Sequence, residues 1–152
     1  MTSTTLNWGI LAPGGIAAKF AADLALVPGQ RLAAVGSRTE ERSRAFAQTW
    51  GDADTRAHTS YDDLLADPEV DVVYVASPHA LHLEQATTAI TAGKHVLCEK
   101  PLTLDRGTAE ALIAVARGGD RKRPTRALAA LVQPARQPIS GAPTGGSPRA
   151  RR

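Results

Sequence analysis

The stretch "DVVYVASPHALHLEQATTAITAGKHVLCEKP", residues 71–101, decides the fold. Its opening, 71–78, is a continuous apolar run rich in β-branched residues, as in a strand buried on both faces of a parallel sheet. Residues 80–93 follow with helical spacing, closed by Gly93. A second apolar run, "HVLCEK" at 95–100, begins almost at once. Strand, helix and strand in so short a span imply a right-handed βαβ crossover. The second strand stops on Glu99, Lys100 and Pro101, which puts an acid and a base at a strand tip. Ligands of open α/β sheets sit beside such tips.

The same alternation extends toward the N-terminus. "NWGILA" (7–12) reads as a strand, and 15–26 as a helix with Ile16, Phe20 and Leu24 on one face. The turn signal Pro28-Gly29 precedes a second strand, "RLAAVGS" (31–37). Thr39 is placed to cap a helix whose first turn holds Glu40 and Glu41 and which ends at Gly51. A short extended piece at 56–58 and a helix over "YDDLLAD", stopped by Pro68, lead into the stretch at 71. Beyond Pro101, residues 105–117 form a last helix. The predicted class is α/β, a doubly wound parallel sheet.

The chain has 152 residues, 43% hydrophobic and 22% charged, enough for one domain with a real core. No apolar run approaches the ~20 residues of a membrane span. The first residues carry no basic segment before their short apolar run, so no signal peptide is expected. Cys98 is the one cysteine, which rules out an intrachain disulfide. The expected compartment is cytoplasmic, and no metal site is expected.

Charge divides the chain in two. Residues 1–117 carry ten Lys/Arg and fourteen Asp/Glu, whereas 118–152 carry eight and one. This second part, "GGDRKRPTRALAALVQPARQPISGAPTGGSPRARR", is rich in Arg, Pro, Gly and Ala. Such composition buries too little apolar surface to offset its ordering entropy. It is expected to be disordered, with a turn or two of helix at most over 126–132. The division is therefore 1–117 as a folded domain and 118–152 as a basic tail.

Between the first strand and the first helix lies "LAPGGIAAKF" (11–20). The dinucleotide fingerprint G-x-G-x-x-G/A reads here as Ala12-Pro13-Gly14-Gly15-Ile16-Ala17. Ala12 replaces the first glycine. Gly14 holds the second position, where a pyrophosphate approaches the backbone, and Ala17 the third, where helix and strand pack closely. Gly15 and Ile16 begin the helix, whose free N–H groups suit an anion. Two glycines beside a helix also make an ordinary turn, and the strand–loop–helix context weighs against that reading.

The end of the second strand bears on the choice of cofactor. NAD sites place an acid there for the ribose 2′-OH. This chain has Ser37 and Arg38, which suit a 2′-phosphate and so favour NADP over NAD. A solvated arginine at a loop start is the plain alternative. The next tips supply Ser77, Pro78 and His79, with His82 starting the following helix; either histidine is also an ordinary helix-start residue. A nicotinamide laid along this edge would reach Glu99–Pro101. Lys100 could then hydrogen-bond a substrate hydroxyl or carbonyl and share its proton. A lysine extended into solvent is the plain alternative.

Together "WGILAPGGIA", "AVGSR", "YDDLLADPEVDVVYVASPHALH" and "AGKHVLCEKPLTL" resemble the Gfo/Idh/MocA oxidoreductases, over about residues 6–117. The pattern resembles the dihydrodiol dehydrogenase-like branch. The resemblance implies a Rossmann domain and NAD(P)-dependent oxidation of a sugar, cyclitol or diol hydroxyl. It makes Lys100 the catalytic lysine. It places Glu99, Pro101, Ser77, His79 and His82 on the cofactor side, with Ala12 a departure in the loop.

Family members carry a second α/β domain facing the nicotinamide. This chain is expected to lack that domain and the last strand of its sheet, as a truncated or frameshifted reading frame or a wrong gene model would. A fragment that binds NADP(H) without turnover is therefore the second reading. Nucleic-acid binding by "DRKRPTR" and "SPRARR" is the third, with no interleaved aromatics and no recognised module behind it.

Overall fold

The computed structural model describes residues 5–118 and 128–131. Its strands are Leu6–Leu11 (β1), Gln30–Gly36 (β2), Arg56–His58 (β3), Val72–Val75 (β4), His95–Glu99 (β5) and Leu128–Leu131 (β6). Its helices are Gly15–Leu24 (α1), Glu40–Trp50 (α2), Tyr61–Ala66 (α3), His82–Thr91 (α4) and Arg106–Ala116 (α5). A 3-10 turn, His79–Leu81, leads into α4.

All strand pairs are parallel, and the sheet order is β3-β2-β1-β4-β5-β6. The chain winds outward from β1 to β3, crosses back, and winds outward again from β4. The order reverses between β1 and β4, which is where such sheets open a crevice. The doubly wound sheet expected from the alternating pattern is therefore present. Among the described residues no helix is long and apolar enough to cross a membrane.

Side chains of β1, β4 and β5 alternate between two cores, to which β2 also contributes. Ile10, Val35 and Tyr74 pack with Ala17, Ala21 and Leu24 of α1 and Ala47 of α2. Leu11, Val73, Val75, Val96 and Cys98 face the other way, onto α3, α4 and α5. The buried stripe of α1 is Ala17–Ala21–Leu24, not the predicted Ile16–Phe20–Leu24. Alanines let the helix axis approach the sheet, and the larger Phe20 is pushed to the margin. There it stacks on Tyr74 at a centroid distance of 4.0 Å.

Packing in the sheet requires glycine on two adjacent strands. A methyl on Gly9 would lie 2.9 Å from Leu64 Cδ2, and one on Gly36 3.1 Å from Leu64 Cδ1. Leu64 thus fills the room that adjacent strands leave by carrying glycine. Helix ends follow local chemistry. Ser60 caps α3 by accepting from the Asp63 N–H at 3.0 Å, and Asp105 caps α5 through Thr108 at 2.9 Å. Thr39 occupies the cap position of α2, but its side chain makes no capping hydrogen bond.

The expectation of a sheet without its last strand is corrected. Leu128–Leu131, in the run expected to hold a turn of helix, pairs in parallel with Val96–Glu99 of β5. A short apolar run has no periodicity that separates helix from strand. The unpaired N–H and C=O groups along β5 decide the matter by offering a ladder. The rest of the predicted tail, 119–127 and 132–152, lies outside the described residues.

Candidate functional site

Parallel strands bring the tips of β1, β2, β4 and β5 to one edge. At β1, Ala12 turns the chain with φ 62° and donates its N–H to the Gly36 carbonyl at 3.1 Å. The loop at β1 is thereby tied to the tip of β2. Gly14 caps α1 in an extended conformation, and its carbonyl accepts the Ala18 N–H at 2.9 Å. Gly14 and Gly15 are exposed, Ile16 is half-buried and Ala17 is fully buried.

Among the described residues, the two loop glycines serve no packing purpose. A methyl built on Gly14 would find its nearest neighbour, the Ala12 carbonyl, 4.0 Å away, and one on Gly15 would meet nothing within 4 Å. Nor does Gly14 need glycine for its backbone, since φ −157° is open to any residue. The loop thus leaves bare backbone facing open space at the positive end of a ten-residue helix. This fits a pyrophosphate, which needs close approach to N–H groups.

At β2, Ser37 is buried and Arg38 is exposed. Arg42, in the first turn of α2, donates to the Pro13 carbonyl at 3.0 Å and buttresses the loop. The sequence reading missed Arg42. Its spacing of four from Arg38, across the start of a helix, was the available signal. Arg38 also lines a cavity of about 240 Å³ between α3 and α4, with Tyr61, Leu65, Leu81 and Gln85. Gln85 is 7% exposed, and its side-chain oxygen has no partner.

At β4, Ser77 is buried and its hydroxyl oxygen is also unpartnered. His79 is exposed on the 3-10 turn. His82 is fully buried, its ring nitrogens 2.8 Å from the Ser77 carbonyl and 2.7 Å from that of Pro101. It lies beneath the edge on which the resemblance places the cofactor. Both nitrogens are occupied by the chain's own backbone.

At β5, Glu99 is buried and Oε1 accepts the hydroxyl proton of Tyr74. Burial first, then the Glu99 contact, raises the Tyr74 phenol far above its ordinary range. Lys100 is exposed, and the Lys100–Pro101 peptide is cis. Pro101 is exposed as well. The edge therefore sorts the predicted residues by depth. Gly14, Gly15, Arg38, His79, Lys100 and Pro101 are exposed. Ala12 and Ile16 are half-buried. Ser37, Ser77, His82 and Glu99 lie buried.

Comparison with known proteins gives a consistent pattern. Residues 6–122 match the family described as "Oxidoreductase family, NAD-binding Rossmann fold". The D-xylose 1-dehydrogenase (NADP(+)) of Hypocrea jecorina is 41% identical over 123 residues, which span 74% of this chain and 32% of that protein. The trans-1,2-dihydrobenzene-1,2-diol dehydrogenase of Xenopus tropicalis is 35% identical over 113 residues, 73% of this chain and 34% of that one. Among solved structures, KijD10, a 3-ketoreductase from Actinomadura kijaniata in complex with TDP-benzene and NADP, superposes with a TM-score of 0.71 at 38% identity. That match covers 75% of this chain and 35% of the other. The chain spans about a third of the length of the curated relatives it matches.

Proposed function

The chain belongs to the oxidoreductase family with an NAD-binding Rossmann fold, and from that premise we propose that its six-stranded sheet and flanking helices form a nucleotide domain holding NADP(H) for hydride transfer at a sugar, cyclitol or diol hydroxyl. The observation that carries this is the loop at the head of α1. Its two glycines meet no protein neighbour and leave backbone open to a pyrophosphate.

Gly14, Gly15 and the N–H groups of the first turn would hold the pyrophosphate. Ser37 and Arg38, in place of an acid, would hold the 2′-phosphate. The adenosine half would then lie over β1 and β2, beside the cavity at Arg38. The other half would run over β4 and β5, toward Ser77, His79 and the Glu99–Pro101 turn. When bound, the nicotinamide supplies the hydride acceptor or donor. Lys100 is exposed at the β5 tip, where its ammonium can hydrogen-bond the reacting oxygen and hold or pass its proton. The names of the relatives, an NADP(+)-linked xylose dehydrogenase and a diol dehydrogenase, support the cofactor and the substrate class.

Fluorescence titration of the purified chain with NADPH and NADH in parallel tests the reading. NADPH should bind more tightly, and Arg38→Ala should weaken NADPH on the order of tenfold while leaving NADH nearly unchanged. Equal affinity for the two cofactors, or an Arg38→Ala chain that binds NADPH as well as the native one, would remove the case for NADP. Binding of neither would remove the case for a nucleotide site.

A further inference from the structure

We propose that His82 is a positioning residue, whose imidazole bridges the main-chain carbonyls of Ser77 and Pro101 and so fixes the two strand tips that floor the nicotinamide half of the site. The inference rests on the dinucleotide reading above. It adds a role for a buried side chain whose two ring nitrogens both face the chain's own backbone.

The register of the sheet shows why a brace is needed. β4 and β5 pair through four rungs, and the last joins Val75 to Cys98. Beyond that rung the chains part, one toward Ser77 and the 3-10 turn, the other toward Lys100 and Pro101. His82, the first residue of α4, lies below the gap. One ring nitrogen is 2.7 Å from the Pro101 carbonyl oxygen and the other 2.8 Å from that of Ser77. Both acceptors are carbonyl oxygens, so the ring donates to both when each nitrogen carries a proton and to one of them otherwise; it spans the gap where the backbone ladder has stopped.

The choice of residue points the same way. His82 is 0% exposed on a helix whose other buried positions include Ala86, Ala89 and Ile90. Burying an imidazole costs desolvation that an aliphatic side chain would avoid. What it adds is two directed contacts to backbone groups of different strands. One of these is at Pro101, adjacent to Lys100, and the other at Ser77, adjacent to Pro78 and His79. A shift of either carbonyl moves the tip that carries those residues.

Sheet order makes the effect local. The loop at Gly14 and the Ser37–Arg38 tip belong to β1 and β2, on the far side of the switch point. Losing the brace should therefore weaken the nicotinamide half of the ligand and spare the adenosine half.

The test compares NADPH with adenosine 2′,5′-bisphosphate, which lacks the nicotinamide half, by titration of the purified chain. His82→Leu removes both contacts. His82→Asn keeps an amide near the place of Nδ1, toward Pro101, and His82→Gln keeps one near Nε2, toward Ser77. The Leu variant should lose NADPH affinity on the order of tenfold while the bisphosphate changes by less than about twofold. The Asn or the Gln variant should recover part of the loss. Parallel loss of both ligands would overturn the proposal by showing a merely structural role, and unchanged NADPH binding would overturn it too. If the Leu variant does not fold, the Asn and Gln variants decide on the same two criteria. Failure of the native chain to bind either ligand would be a different result, which overturns the dinucleotide reading itself.

Discussion

The hydroxyl of Tyr74 donates to Oε1 of Glu99, and the two residues are buried side by side on β4 and β5. The pair joins the middle of the sheet to the residue just before Lys100. Its stability follows from what each group would face alone. A buried carboxyl oxygen without its donor keeps its desolvation penalty, and the phenol without its acceptor does likewise. Tyr74→Phe retains the ring stacked on Phe20 but removes the donor. It should destabilise the chain by about 1–3 kcal/mol, read as a lower urea midpoint with an unchanged slope. A midpoint equal to that of the native chain would show that the pair stabilises nothing.

The backbone of Ala12 leads to a prediction of opposite sign. Its φ of 62° lies in the left-handed region, where a side chain costs roughly 1–2 kcal/mol. The residue holds this angle because its N–H is committed to Gly36 and the chain must turn from β1 into α1. Ala12→Gly relieves the strain but gives the unfolded chain more freedom, worth about 0.4–1 kcal/mol. The net should be a gain of about 0.5–1 kcal/mol, seen as a rise in thermal midpoint. A lower midpoint would mean that the turn is not strained at this residue.

Much of this arrangement was legible in the sequence, and what was not has physical causes. The run at 72–75 is apolar and β-branched, and the apolar run at 95–99 follows it across one helix closed by Gly93, so the βαβ unit and its tips could be read from the alternation. Glycines and proline fixed the ends of the intervening helices. Depth was harder to read. Ser77, His82 and Glu99 are polar residues near a ligand edge, and a sequence does not say which polar residues face ligand and which face backbone. His82 is buried because α4 starts one 3-10 turn later than the strand ends, which swings its side chain under the tips. β6 was missed because its pairing depends on a distant strand edge and on no local pattern.

Cys98 yields a prediction about alkaline conditions. Burial, with the nearby Glu99 adding to it, pushes its thiol up to about 12. At pH 8 only about one part in ten thousand would be thiolate, the form that reacts. The folded chain should therefore resist iodoacetamide, and modification should appear only as the chain unfolds. The raised value also sets a sign for stability. The thiol's contribution is complete below its unfolded value, near 8.5, and is lost as pH rises toward 12. Tyr74, raised for the same first reason, adds to the loss above about pH 10. Denaturation midpoints should fall through this window, and less steeply in Cys98→Ala. A thiol that alkylates readily in native buffer would contradict the buried placement.

Asp67 makes the corresponding prediction for acid. Its side chain is 2% exposed where α3 gives way to β4. Burial opposes its charge, yet the Glu69 N–H, the His58 ring and the Arg56 guanidinium outweigh that cost and hold the carboxyl below its ordinary value. His58 Nε2 lies 3.0 Å from Oδ2 and Arg56 Nε 3.1 Å, the latter a charge contact without an aligned N–H. Lys94 Nζ meanwhile donates to the Asp67 and Val70 carbonyls at 2.6 and 2.8 Å, fixing the same turn from below. Because the folded value is depressed, this stabilisation is present above the unfolded value near 3.9. It is lost as pH falls through the lower folded value. Asp67→Asn should destabilise the chain by about 1–3 kcal/mol at pH 7, and the gap to the native chain should close as pH drops from about 5 to 2. Urea midpoints of both chains across that range measure it. A gap that stays constant with pH would show that the carboxyl acts through its shape and hydrogen bonds, and that its charge carries none of the effect.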